Sequence, residues 1–207
     1  MLTLYDDLLS RNGYKVRLLL RHLDKPFHFK RVDLKSGMSR QPDFLTKNVV
    51  GRIPVVEFED GSTLAESDAI LFFLAEDTAF LPDDRRARAE VLRWMFFEQS
   101  MILPTIGTAR IFRIMGLDKK RPDVYAHRLE IAHDALAALE RHLDGKDWLV
   151  GKHFTIADIA LFGYLSVAEE AGLDIAAYGR VLAWRKRIAD LPSHVNWDWT
   201  GEKDISN

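Results

Sequence analysis

The texture of the chain changes once, near residue 80, and this change limits the possible folds more than any other feature. Before it, short stretches of strand-like alternation are separated by turn signals; after it, apolar residues recur only at helical spacing. The expected fold class is α+β: a small mixed domain over residues 1–78, a linker, and an all-helical domain over residues 85–207.

Within the first part, Leu2-Thr3-Leu4-Tyr5 is compatible with a strand. Ser10 stands ahead of a segment in which Val16, Leu19, Leu20 and Leu23 recur at helical spacing, and is placed to cap that helix. Pro26 opens a second strand, Phe27-His28-Phe29-Lys30-Arg31-Val32. Pro42-Asp43-Phe44-Leu45 starts a short helix. Ile53-Pro54-Val55-Val56-Glu57-Phe58 resumes as a strand, and Asp60-Gly61 turns it into Thr63-Leu64. Ser67 is expected to cap a helix over residues 69–74, with Pro82, Asp83 and Asp84 as the linker. The order is therefore βαβ-ββα. Expected helices of the second part run from 85 to about 115, 122 to 143, 156 to about 171, and about 179 to 189. Thr155-Ile156-Ala157-Asp158 has the shape of a capping box with Asp158 in place of Glu or Gln, and Phe154 and Ile159 are spaced as a hydrophobic staple.

Composition removes several function classes. With 29 Lys plus Arg against 31 Asp plus Glu, the formal net charge is -2, and no basic run offers the clustered cations that nucleic-acid binding needs. The chain contains no cysteine, so disulfide scaffolds, thiolate metal sites and a cysteine nucleophile are excluded; any thiol must come from another molecule. The longest apolar stretch, residues 69–75, falls far short of the roughly 20 residues of a membrane helix, and Asp6 with Asp7 breaks any signal-peptide pattern. A cytoplasmic protein is the default expectation, with no nucleic-acid or membrane partner. No G-x-G-x-x-G, phosphate-binding loop or H-E-x-x-H motif occurs. His127, His133 and His142 are spaced by six and nine, which does not stack them as metal ligands, and a solvated helix face accounts for them.

Four segments carry a resemblance to the cytosolic glutathione transferase superfamily that covers essentially the whole chain. They are Ser10-Arg11-Asn12-Gly13-Tyr14-Lys15-Val16, Gly51-Arg52-Ile53-Pro54, Glu66-Ser67-Asp68-Ala69-Ile70 and Phe154-Thr155-Ile156-Ala157-Asp158. The resemblance implies a thioredoxin-like domain, a helical domain and a glutathione site between them, in a homodimer that needs no metal. It further implies a detoxifying glutathione transferase that uses glutathione as cosubstrate and adds its thiolate to small hydrophobic electrophiles. The alternatives are a glutathione-dependent disulfide reductase or peroxidase, and a non-catalytic binding protein on the same scaffold.

The resemblance assigns Ser10, at a strand-to-helix junction, to the thiolate; read alone, Ser10 is a helix cap contributing about 1 kcal/mol. Asn12, in an Asn-Gly-aromatic-Lys sequence, resembles members that place the asparagine near the glutathione sulfur; it is equally a helix-initiating residue with its amide in solvent. Lys15 adds charge near the site or is a surface lysine. Ile53-Pro54 resembles the family's cis-proline step, which leaves the Ile53 backbone to pair with a peptide; a trans-proline at a strand start is the other reading. Arg52 is a candidate for the carboxylate of the glutathione glycine or is a solvated charge, and Ser39 and Arg40 fall where members of the family often supply further ligand contacts. Glu66 and Ser67 would take the ammonium and carboxylate of the γ-glutamyl group. Asn48 lacks the proline that often follows it in the family, which suggests a more mobile loop. The electrophile pocket is expected along residues 85–115, with Met101, Ile106 and Arg110 as candidates beside Ile102 and Phe112; at helical spacing such residues also read as core. Trp197 and Trp199 read either as a tail over the pocket or as a dimer contact.

Overall fold

A computed structural model describes residues 1–201; positions 202–207 of the expected second domain lie outside the described residues. The chain divides into two units, Met1–Glu76 joined by the segment from Pro192, and Asp77–Leu191.

The first unit contains β1 (Leu2–Asp6), α1 (Arg11–His22), β2 (Phe27–Arg31), α2 (Pro42–Leu45), β3 (Val55–Glu57), β4 (Thr63–Ala65) and α3 (Ser67–Leu74). The sheet order is β2-β1-β3-β4; β1 is parallel to β2 and antiparallel to β3, which is antiparallel to β4. Side chains alternate between the two faces of the sheet. Tyr5 and Val55, paired in register, lie in one cluster with Val32, Phe44 and Ile53, while Leu4 and Val56, the next pair, are turned to the other face. Val16, Leu19, Leu20, Ile70 and Leu71 are fully buried, so α1 and α3 contribute one continuous apolar stripe each.

The domain limits differ from the expectation at the C-terminus. Residues 192–201 belong to the first unit, not to the helical one. The Tyr14 hydroxyl donates to the Val195 carbonyl (2.9 Å), Arg17 donates to the carbonyls of Trp197 and Trp199, and the Trp199 ring meets Phe27 edge to face at 5.6 Å. Trp197 lies under the Arg11 guanidinium. Both tryptophans therefore pack on α1 and β2 of their own unit.

The second unit contains α4 (Arg85–Phe97), a π-helical segment (Glu98–Gly107), α5 (Thr108–Ile114), α6 (Pro122–His142), α7 (Ile156–Leu165), a 3-10 turn (Ala168–Ala171) and α8 (Gly179–Ala189). The helix expected over 85–115 is thus three pieces. Pro104, which has no N–H to donate, sits inside the π segment, and Gly107 lies so close to α7 that a Cβ there would be 2.8 Å from the Tyr164 ring. The helix expected to reach 171 ends at Leu165, followed by the 3-10 turn and Gly172 in a left-handed conformation. Asp84, read as linker, caps α4 by accepting from the Ala87 amide (2.8 Å). His133 and His142 are pinned rather than solvated, His133 to the Tyr178 hydroxyl (3.0 Å) and His142 to the Leu149 carbonyl (2.8 Å).

The start of α7 is a buried polar cluster. Thr155 and Asp158 form the expected capping box, and Asp158, fully buried, also accepts from the Leu149 amide (3.0 Å) and Trp184 Nε1 (2.9 Å). Phe154 packs its ring against Phe80 and Trp148. No helix among the described residues is long and apolar enough to cross a membrane.

Candidate functional site

Strand register gathers most of the expected site residues at one end of the sheet. Tyr5, near the end of β1, pairs with Val55 at the start of β3, and Val55 pairs with Ala65 at the end of β4. The residues that follow or precede these pairs therefore emerge together: the turn from β1 to Ser10, Ile53-Pro54, and Glu66-Ser67.

Ser10 is the N-cap of α1, and its Oγ accepts from the Gly13 amide (3.0 Å). That bond uses an oxygen lone pair and leaves the hydroxyl proton available to an outside acceptor. Asn12, the second residue of the helix, has an amide with no intrahelical acceptor and a half-buried side chain whose Oδ1 has no partner among the described residues. Gly13 follows for a steric reason. A Cβ there would lie 1.8 Å from Asp6 Oδ1, so glycine, although it costs about 1 kcal/mol against alanine inside a helix, lets the β1 carboxylate seat against the first turn.

Sequence reasoning missed the consequence of that seat. Asp6 and Arg17 are both fully buried and paired through Arg17 Nε (3.1 Å). Burial raises the Asp6 carboxyl above its ordinary value, and the neighbouring guanidinium opposes the shift. The pair joins β1, α1 and the C-terminal segment. Lys15 also differs from its reading as a surface charge: it is fully buried, with Nζ 3.5 Å from Ser67 Oγ and 3.4 Å from Asp68 Oδ1. A lysine followed four residues later by a buried-spaced Leu19 was the available signal, since both lie on the α1 stripe.

The Ile53–Pro54 peptide bond is cis, and among the described residues the Ile53 backbone makes no hydrogen bond. The loop before it is tied down rather than loose. Asn48 Nδ2 donates to the Arg52 carbonyl (2.8 Å), Asn48 Oδ1 accepts from the Val50 amide (3.0 Å), and Arg40 Nη1 donates to the Val50 carbonyl (2.8 Å). Gly51, at φ 63°, passes so near the Ser39 carbonyl that a Cβ would lie 2.6 Å from it. Arg40 and Arg52 are exposed.

Ser67 is not the cap of α3 but its first residue. Glu66 holds the cap position at φ 70° and ψ 112°, an unusual conformation for a residue with a Cβ, and makes no capping bond. The amides of Ser67 and Ala69 have no intrahelical acceptors, so α3 begins with open donors, a buried hydroxyl, and an exposed carboxylate beside them. Both charges of a zwitterion find complementary groups there.

The residues expected to line an electrophile pocket are placed in the helical unit. Ile102 and Ile106 are fully buried in it, Arg110 is nearly so and pairs with Glu170 (2.6 Å), and Met101 and Phe112 are half-buried. Helical spacing here reports core packing first.

Residues 1–76 match the family described as Glutathione S-transferase, N-terminal domain, and residues 122–187 match Glutathione S-transferase, C-terminal domain. The chain is 30% identical over 189 residues to the Disulfide-bond oxidoreductase YfcG of Escherichia coli K12, covering 88% of this chain and 87% of that one. The crystal structure of a glutathione S-transferase from Pseudomonas fluorescens Pf-5 superposes with a TM-score of 0.93 at 41% identity, covering 95% of this chain and 98% of that chain. A glutathione transferase from Pseudomonas putida, with one glutathione disulfide bound per subunit, gives a TM-score of 0.82 at 26% identity over 93% of this chain and 88% of that chain. The chain belongs to the glutathione S-transferase family.

Proposed function

We propose that the chain binds glutathione at the end of its four-stranded sheet and uses the glutathione thiolate as a nucleophile in thiol–disulfide exchange. The observation that carries this reading is the convergence, through strand register, of two helix starts with open donors on either side of the unpaired Ile53 backbone. In this arrangement the peptide pairs with Ile53 ahead of Pro54. The γ-glutamyl carboxylate sits on Ser67 and the α3 amides, its ammonium faces Glu66, and Arg40 or Arg52 faces the glycine carboxylate.

The thiol then lies over the start of α1. A free thiol has a pKa of about 8.5, so roughly 3% is thiolate at pH 7, and lowering the pKa by two units takes about 2.7 kcal/mol. A hydrogen bond to the charged sulfur contributes about 1.5 to 3 kcal/mol and the helix terminus about 0.3 to 1. Ser10 Oγ–H and Asn12 Nδ2 are the two donors. The thiolate attacks one sulfur of a disulfide RS–SR′, the S–S bond breaks, and R′S⁻ leaves with the electron pair and takes a proton from water. A second glutathione thiolate attacks the glutathione sulfur of the mixed disulfide, releasing RS⁻ and glutathione disulfide.

One finding favours disulfide exchange: the E. coli relative is named a disulfide-bond oxidoreductase. The chain has no cysteine, so in either reaction the attacking thiolate is that of glutathione. Conjugation of the same thiolate to a small hydrophobic electrophile is the second reading, favoured by the similarity to the P. fluorescens transferase. The homodimer, the cytoplasmic location and the Met101, Ile106 and Arg110 pocket belong to this proposal as family expectations. The test is kcat/KM for a glutathione mixed disulfide beside that for an aromatic halide, each with glutathione. Faster disulfide turnover, lowered by Asn12→Ala or Ser10→Ala without a matching change in glutathione affinity, supports the proposal; turnover of the halide alone moves it to conjugation.

A further inference from the structure

Lys15, Ser67 and Asp68 form a near-equilateral triangle of polar atoms below the start of α3. Lys15 Nζ is 3.5 Å from Ser67 Oγ and 3.4 Å from Asp68 Oδ1, and Ser67 Oγ is 3.5 Å from the same Asp68 oxygen. The lysine is fully buried and Ser67 nearly so, which holds the triangle in place and away from competing water. The donor chemistry of the three groups is unequal. An ammonium only donates, a carboxylate only accepts, and a hydroxyl does both with a single proton. Without the ammonium, the Ser67 proton turns inward to Asp68 Oδ1. With it, Lys15 donates to both oxygens, satisfies that carboxylate oxygen, and leaves the serine proton to point outward.

We propose that Lys15 is a positioning residue that sets the donor direction of Ser67, so that the hydroxyl meets an incoming α-carboxylate with its proton and not with a lone pair. The site thereby selects ligands that carry a carboxylate at this position. The inference rests on the glutathione reading above. It also ties the thiol and the γ-glutamyl carboxylate of the ligand to one helix, since α1 carries Ser10 and Asn12 at its start and Lys15 within its second turn.

The test is calorimetric titration of glutathione, and of glutathione whose γ-glutamyl α-carboxylate is converted to the amide, into wild type, Ser67→Ala, Lys15→Met, Lys15→Met/Asp68→Ala and Lys15→Met/Ser67→Ala. Lys15→Met weakens glutathione by about tenfold, the scale of one hydrogen bond to a charged group, and changes the amide analogue far less. Removing Asp68 as well takes away the competing acceptor and restores most of the loss; this double variant also removes both charges of the Lys15–Asp68 pair together, so it keeps the test alive if Lys15→Met folds poorly. In the Ser67→Ala background Lys15→Met has no further effect. Equal weakening of both ligands, an undiminished loss in Lys15→Met/Asp68→Ala, or a further loss when Lys15→Met is added to Ser67→Ala, overturns the inference alone. A wild type that does not bind glutathione overturns the binding reading and this inference with it.

Discussion

The starts of α7 and α3 solve the same problem in opposite ways. At α7, the Phe80 carbonyl takes the Ile156 amide, Thr155 takes those of Ala157 and Asp158, and Asp158 takes the Thr155 amide together with the Leu149 amide and the Trp184 indole, all within a dry interior. At α3, no side chain caps the helix, the cap residue Glu66 is held at positive φ, and donors are left open beside an exposed carboxylate. A helix start that satisfies itself is a folding element; one that leaves its donors open, in a strained backbone, is available to a ligand. The start of α1 is intermediate, with one donor capped by Ser10 and the Asn12 amide open.

This contrast is broken most severely at Asp158. Asp158→Ala leaves the Leu149 amide and the Trp184 N–H buried without acceptors, and should lower stability by about 3 to 5 kcal/mol in chemical denaturation, with little effect on glutathione affinity in whatever fraction stays folded. The same carboxyl gives the pH test. Burial raises it to about 6 from 3.8. Between those values the folded protein keeps a proton that the unfolded chain has released, so this group's contribution to stability falls as pH rises through that window and is level above it. The stability deficit of Asp158→Asn relative to wild type should therefore shrink from pH 4 to pH 6 in paired melts; a deficit that grows contradicts the assignment.

At the open end the effects move from stability to binding. Ser67→Ala should weaken glutathione by about tenfold in calorimetry and shift the melting temperature little. Ser10→Ala removes a cap and should lower stability by about 1 kcal/mol. Asn12→Ala should leave stability unchanged, so the variant that loses more turnover in a disulfide assay identifies the principal thiolate donor. Glu66→Gly runs the other way: relief of the positive-φ residue should raise stability by roughly 1 kcal/mol while glutathione affinity falls.

Local patterns were legible in the sequence. The capping box at Thr155, the Ser10 cap, the hairpin at Asp60-Gly61 and the order βαβ-ββα each depend on residues within a few positions of one another. Contacts across the chain were not. Arg17 meets the carbonyls of Trp197 and Trp199, and Lys15 meets Ser67, through folding that no local spacing records. The π segment was hidden because its apolar residues continue the helical stripe, while the wider turn changes only the backbone pairing. At the site, the residue types at Ser10, Ile53-Pro54 and Glu66-Ser67 were readable, but Ser67's place one residue into the helix was not, because it depends on the conformation of Glu66.

The most direct test of the open-end account is the glutathione-induced rise in stability of wild type compared with Ser67→Ala and Asp158→Asn. At 100 times the dissociation constant, glutathione should stabilise wild type by about 2.7 kcal/mol. The account predicts that Asp158→Asn melts lower yet keeps this increment, while Ser67→Ala melts normally and, binding about tenfold more weakly, keeps only about half of it, about 1.4 kcal/mol, at the same glutathione concentration. An increment that survives undiminished in Ser67→Ala and disappears in Asp158→Asn would contradict it.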